Sequence, residues 1–208
     1  MKIQKTNIEN LKIIKINKIK DLRGIFFRNF CEKELKSITK RKIVQSNISI
    51  NKNKFTLRGF HYQKNPSKEG KFITCVSGKI FNVTVDLRKK SKSYLKLVKV
   101  NINSKKNDLI YIPPGCANAF LTLEKNTIIH YLMTDFYKPK TYESFNYKSK
   151  EITVKWPANP VVISIKDKNA KTLFWKYKKE IVDIKKFILN FYNDIFKINF
   201  LHSYLVKL

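Results

Sequence analysis

Hydrophobic and polar positions alternate along this chain in short runs. Between Lys79 and Arg88, Phe81, Val83, Val85 and Leu87 fall on one face and Asn82, Thr84, Asp86 and Arg88 on the other. That period of two belongs to a strand with unlike faces. Val44, Ile48 and Ile50 oppose Gln45, Asn47 and Ser49 in the same way. Runs of this kind, bounded by turn residues, predict strands over Leu11 to Ile16, Ile43 to Ile50, Phe55 to Gln63, Lys71 to Val76, Lys79 to Arg88, Tyr94 to Asn103, Asp108 to Ile112, Ala117 to Leu123 and Thr127 to Thr134. So many evenly spaced strands without intervening helices predict an all-β antiparallel sandwich or barrel, and a jelly roll fits. The polar faces either line a ligand cavity or meet solvent, and the pattern alone leaves both open.

After Trp175 the pattern changes. Ile184, Phe187, Ile188, Phe191, Ile195 and Phe196 recur at roughly helical spacing among lysines, which predicts an amphipathic helix packed on the barrel or on a partner subunit. A membrane-surface role is the alternative for so basic and aromatic a segment. The chain is thus read as a barrel domain over residues 1–175 and a helical tail over 176–208. Removing the tail is expected to disturb stability or dimerisation rather than chemistry, which gel filtration and turnover of the truncated protein would check.

With 208 residues the chain can bury one sizeable core. It has no run of about eighteen apolar residues and no apolar leader after Met1-Lys-Ile-Gln-Lys, so a soluble cytoplasmic protein without membrane insertion is expected. Cys31, Cys75 and Cys116 form no CxxC pair and suggest neither a disulfide framework nor zinc; Cys116, beside a Pro-Pro-Gly turn, is the one most open to a role. A formal charge of +29 would ordinarily point to nucleic acid. Only five of the 44 basic residues are arginine, however, and the lysines are scattered along the whole chain rather than gathered into a phosphate-binding face. Nucleic acid is therefore not expected as the partner, and a basic nucleic-acid-binding protein is kept only as a rival reading.

The chemistry concentrates in Phe55-Thr-Leu-Arg-Gly-Phe-His-Tyr-Gln63. Arg58 offers a planar fork of donors suited to phosphate oxygens, and His61 carries the side chain that exchanges protons most readily near neutrality. Lys71 follows ten residues later, and Gln45, Asn47 and Ser49 share one strand face. Strict alternation would put Arg58 and His61 on opposite faces, unless Gly59 carries a bulge that re-aims one of them. No GxGxxG or P-loop pattern occurs, so no cofactor is expected.

This stretch resembles the active-site strand of the RmlC-type nucleotide-sugar epimerases, the dTDP-4-dehydrorhamnose 3,5-epimerase family of the cupin superfamily. Further pieces follow in that family's order: Asp21-Leu-Arg-Gly24, Val44-Gln-Ser-Asn-Ile-Ser49, Val85-Asp-Leu-Arg88, Ile112-Pro-Pro-Gly115 and Ser164-Ile-Lys-Asp167. The resemblance implies a cupin jelly roll, a homodimer and a dTDP-linked nucleotide-sugar substrate, with a place in deoxysugar synthesis for surface polysaccharide. It implies His61 as the base, Asp167 as the carboxylate that holds it and Tyr131 as the acid, with Asp86 an alternative carboxylate. It implies Tyr137 lining the sugar pocket, Arg58 and Lys71 on the diphosphate with Gln45 and Asn47 nearby, and Arg23 and Phe26 at the diphosphate and base, partly from the other subunit. Many cupins bind a metal through an HxH pair; here the stretch reads His61-Tyr-Gln63, and no metal is expected. The chain departs from the family where Pro114-Gly-Cys-Ala-Asn-Ala-Phe120 puts Asn118 in place of a pocket histidine, and where Asn82 replaces an aspartate. Inversion of one centre or of two, a 3,4-ketoisomerase and a non-catalytic sugar-binding cupin all remain open on these residues.

Overall fold

The computed structural model of the chain describes residues 2–106 and 108–173. In chain order the elements are β1 (Lys2–Lys5), β2 (Lys12–Lys15), β3 (Lys18–Asp21), β4 (Gly24–Phe27), α1 (Glu32–Leu35), β5 (Gln45–Asn51), β6 (Thr56–Gln63), β7 (Lys71–Ser77), β8 (Lys79–Asp86), β9 (Leu97–Asn103), β10 (Asp108–Ile112), β11 (Cys116–Thr122), β12 (Thr127–Met133), β13 (Tyr142–Ser144), β14 (Val162–Ile163) and α2 (Ile165–Lys168). Every strand that the alternation predicts is present. Those it missed, β1, β3, β4, β13 and β14, have four residues or fewer, too short for a period of two to show. The expected division at Trp175 and the helical tail lie outside the described residues.

Two sheets face each other in a jelly roll of the cupin type. One has the order β1-β2-β10-β7-β12-β5 and the other β13-β6-β11-β8-β9, with β14 parallel to β6; β3 and β4 form a separate hairpin. Ile73, Cys75, Ile110, Ile112 and Ile129 from the first sheet pack between the layers against Ile80, Val98, Ile102, Cys116 and Phe120 from the second. The outer face of the first sheet, with Phe72, Leu109 and Tyr111, is covered by Leu35 and Ile38.

The second sheet is covered on its outside as well, and this settles which way β8 faces. Val83 and Val85 pack outward with Phe60, Ala117 and Ala119 beneath Phe145, Ile152 and Leu173, which the chain supplies after β13. Asn82, Thr84 and Asp86 are fully buried on the inward side. On β5, Gln45, Asn47 and Ser49 turn toward an open cavity between the sheets, while Ile48 and Ile50 are exposed. Cys116 is buried and its thiol is pushed up to about 12, chiefly by burial, so it is an inert core residue rather than a reactive one.

Gly59 carries the bulge. On β11, Asn118 pairs with His61 and Phe120 with Arg58, so two steps along β11 span three along β6. The extra residue lets Arg58 and His61 share the inner face, while Phe60 turns outward to stack on Phe145 at 4.7 Å. Gly59 has φ +112°, and a Cβ there would lie 2.5 Å from the Asn118 carbonyl oxygen and 2.6 Å from the Ala119 Cα. Both obstacles are backbone and cannot swing away. Gly59→Ala is therefore expected to destabilise the fold by at least about 2 kcal/mol, read as a lowered urea midpoint; an unchanged midpoint would show that β6 needs no such kink.

Candidate active site

The sheets splay apart over a cavity of about 510 Å³. Gln45, Asn47 and Ser49 of β5 and Tyr131 of β12 line it from the first sheet, and Arg58 and His61 of β6, Asn118 of β11 and Tyr142 of β13 from the second; Glu69, Lys71 and Tyr137 complete its wall. A larger hollow of about 630 Å³ lies between Tyr147 and Pro160, but no histidine or carboxylate lines it. The chemistry belongs to the smaller one.

His61 is held by Asp167. β14 runs beside β6, with Ile163 opposite Leu57, and so delivers α2 onto the bulge. Ser164 caps α2, its Oγ accepting from the Asp167 N–H at 3.1 Å. The buried Asp167 carboxylate then meets His61 Nε2 at 2.6 Å through Oδ1 and accepts from the Gly59 N–H at 3.2 Å through Oδ2. Burial opposes ionisation of Asp167, but the hydrogen bonds and charge of His61 and the bonds from Gly59 and Ser164 outweigh it, and the carboxyl stays below its ordinary range. With Nε2 engaged, Nδ1 is the ring nitrogen left to take a proton. Asp86, the alternative carboxylate, plays no part here. It binds the Arg88 guanidinium at 2.8 Å and Ser93 Oγ at 2.6 Å, which ties down the turn after β8.

Tyr131 reaches the cavity from the opposite sheet. Burial pushes its phenol up, with the Arg58 charge and Ser49 only partly opposing, so it stays protonated and can donate. Arg58 donates through Nε to Asn51 Oδ1 at 2.8 Å. Lys71 pairs with Glu69 at 3.1 Å and lies 3.5 Å from the His61 carbonyl oxygen. Gln45 donates to Asn47 Oδ1 at 3.1 Å and accepts from the Tyr137 N–H at 3.0 Å. Arg23 and Phe26 stand apart: both are exposed on the β3–β4 hairpin, Arg23 engages Asp21 at 2.6 Å, and neither lines the cavity of its own chain.

Among the described residues no cluster of three or more histidine, cysteine or acidic side chains could hold a metal ion. His61 Nε2 is taken by Asp167, and both ring nitrogens of His130 are taken, by Asn29 and Ser46 at 2.9 Å.

The sequence family described as dTDP-4-dehydrorhamnose 3,5-epimerase matches residues 5–174. The chain belongs to that family. It is 34% identical over 173 residues to a dTDP-4-dehydrorhamnose 3,5-epimerase of Shigella flexneri, covering 82% of this chain and 95% of that one. Its fold is similar to the dTDP-4-dehydrorhamnose 3,5-epimerase of Bacillus anthracis, solved with TDP and PPi bound, at TM-score 0.80 and 29% identity over 83% of this chain and 99% of that one. It is likewise similar to the dTDP-6-deoxy-D-glucose-3,5-epimerase of Legionella pneumophila, solved with dTDP-4-keto-L-rhamnose, at TM-score 0.78 and 32% identity over 83% and 92%.

Against this family background, two polar cavity residues escaped the sequence reading. Tyr142 lies on a three-residue strand, 5.4 Å from His61 and 5.5 Å from Tyr137 between ring centroids, with Lys166 Nζ 4.2 Å from its own. Its phenol is pushed up by burial and then by the Asp167 charge. Glu69 sits in the irregular segment between β6 and β7, where nothing in the pattern marks it. The clue to both was Gln63, whose role the motif concealed. Its Oε1 accepts from the Lys138 N–H at 2.9 Å and Thr141 Oγ1 at 2.8 Å, while Nε2 donates to Glu69 at 2.5 Å and to the Phe136 carbonyl at 3.1 Å. One amide clamps the loop that carries Tyr137 and Tyr142.

Because Asp167 has a depressed folded pKa, its contribution to stability is complete above its unfolded value of about 4 and disappears as pH falls through the folded one. Asp167→Asn should therefore flatten the loss of stability on acidification below about pH 4, measured by urea unfolding at several pH values. An equally steep loss in the variant would place the acid-sensitive group elsewhere.

Proposed function

We propose that this protein epimerises a nucleotide-linked 4-keto-6-deoxyhexose, with dTDP as the nucleotide, for deoxysugar synthesis in surface polysaccharide. The observation that carries the reading is the pairing of the His61–Asp167 dyad on one sheet with a protonated Tyr131 on the facing sheet. Inverting a carbon beside a ketone requires a base that removes the α-proton and an acid that returns one to the opposite face. His61 is that base, with Asp167 fixing the ring and stabilising the imidazolium that forms. Tyr131 is the acid. The enolate formed between the two steps gains from the cationic wall of Lys71 and Arg58, and those side chains with Gln45 and Asn47 also receive the diphosphate. Tyr137, half exposed at the mouth, lines the sugar pocket.

The working form is a homodimer. Ile48 and Ile50 are 67% and 65% exposed on the edge strand β5, and the β3–β4 hairpin exposes Leu22, Ile25 and Phe26. A second copy would cover these and bring Arg23 and Phe26 to the neighbouring cavity. No helix among the described residues is long and apolar enough to cross a membrane, and we place the enzyme in the cytoplasm.

The test is α-proton exchange with dTDP-4-keto-6-deoxyglucose in deuterated water. The unaltered protein should introduce deuterium at C3, at C5 or at both. His61→Asn should lower exchange about 10²–10⁴-fold while nucleotide binding persists. Tyr131→Phe should slow formation of epimerised product more than exchange, because a proton can still return to the face it left. Exchange at neither carbon would leave a sugar-binding cupin, and equal losses in the tyrosine variant would make Tyr131 a packing residue.

A further inference from the structure

Asn118 lies at the inner wall of the cavity, 6% exposed, and its amide is oriented by the protein behind it. Nδ2 donates to Asn82 Oδ1 at 2.7 Å and to the Val83 carbonyl at 3.1 Å. A backbone carbonyl only accepts, so the nitrogen must be the atom facing β8 and the oxygen must be the atom facing away from it. Asn82, fully buried, is oriented in turn by Asn118: its Oδ1 meets that nitrogen, which leaves its own Nδ2 toward Thr84 Oγ1 at 3.4 Å. An amide nitrogen has two hydrogens, and both are spent. Among the described residues no donor reaches Asn118 Oδ1.

We infer that Asn118 is a specificity-determining residue that accepts a hydrogen bond from a sugar hydroxyl and offers no donor to the ketone. The inference rests on the epimerase reading above. A 4-keto-6-deoxyhexose linked to its nucleotide through the anomeric oxygen has two hydroxyl groups, at C2 and C3, so the partner of Oδ1 is one of these. A ligand without that hydroxyl leaves a nearly dry carbonyl oxygen unsatisfied, which is how a buried polar site rejects an analogue. The same oxygen repels the C4 ketone oxygen, itself an acceptor. The ketone is thereby turned toward the donors of the cavity, Lys71 and Arg58 among them, and the ring is oriented by an acceptor on one side and cations on the other.

The test measures dissociation constants by calorimetry for dTDP-4-keto-6-deoxyglucose and its 2-deoxy, 3-deoxy, 2-deoxy-2-fluoro and 3-deoxy-3-fluoro analogues. Fluorine accepts weakly but never donates. One deoxy analogue should bind the unaltered protein roughly 3- to 10-fold more weakly, and the fluoro analogue at that carbon should bind no better. Asn118→Ala should impose a similar loss on the full substrate and no further loss on that deoxy analogue, the coupling expected of direct partners. A fluoro analogue that binds like the full substrate, or losses in Asn118→Ala that simply add to those of both deoxy analogues, would overturn the assignment. Should Asn118→Ala fail to fold, the fluoro and deoxy comparison on the unaltered protein still decides. Absence of hydroxyl dependence with normal α-proton exchange defeats the role of Asn118 alone; hydroxyl dependence without exchange defeats the epimerase reading alone.

Discussion

Asp167 accepts from the His61 ring through one oxygen and from the Gly59 N–H through the other, so a single buried carboxylate holds both the imidazole and the kink that presents it. The bulge brings Arg58 and His61 onto one face, and the carboxylate keeps the imidazole where the bulge has put it. Removing the imidazole would take a partner from the buried Asp167 carboxylate, which is costly because little water reaches that carboxylate to replace it. Ser164, β14 and the parallel pairing of Ile163 with Leu57 all serve to set that carboxylate in place.

Covering both faces of the second sheet is what makes this possible. Once Phe145, Ile152 and Leu173 pack over Val83, Val85 and Phe60, the polar positions of β8 and β11 have nowhere to go but inward. Among them Asn118 donates to Asn82 and Asn82 reaches Thr84, while Asp86 is held by Arg88 and Ser93. Among the described residues His61 is held by Asp167 and Lys71 pairs with Glu69, while Arg58 bonds the neutral Asn51. The cavity thus sets acidic groups beside its basic ones, whereas the whole chain carries +29.

The loop from Thr134 to Tyr142 shows how little regular structure a site needs when its polar groups are fully used. Asp135 accepts from Ser67 Oγ, the Lys68 N–H, the Phe136 N–H and Lys138 Nζ. With Gln63 holding the far end, two tyrosines are fixed at the rim without a strand longer than three residues.

By itself the sequence determined the layer architecture, because alternation over seven or eight residues is a property of the strand alone, and the ordered motifs named His61, Asp167, Tyr131, Arg58, Lys71, Gln45, Asn47 and Asn118, which the fold gathers at one cavity. It could also state the conflict between Arg58 and His61 and name Gly59 as the residue able to resolve it. Only the tertiary structure decided that the bulge exists, since a bulge is a mismatch between two strands and is written in neither. The inward turn of Asn82 depends on a covering segment some sixty residues or more later. The choice of Asp167 over Asp86 depends on which carboxylate already has an arginine beside it in space. Tyr142 and Glu69 were illegible for a related reason: Glu69 joins the site through the Gln63 amide, and Tyr142 through Thr141 bonded to that amide and the pairing of a short strand, and neither leaves a period in the chain.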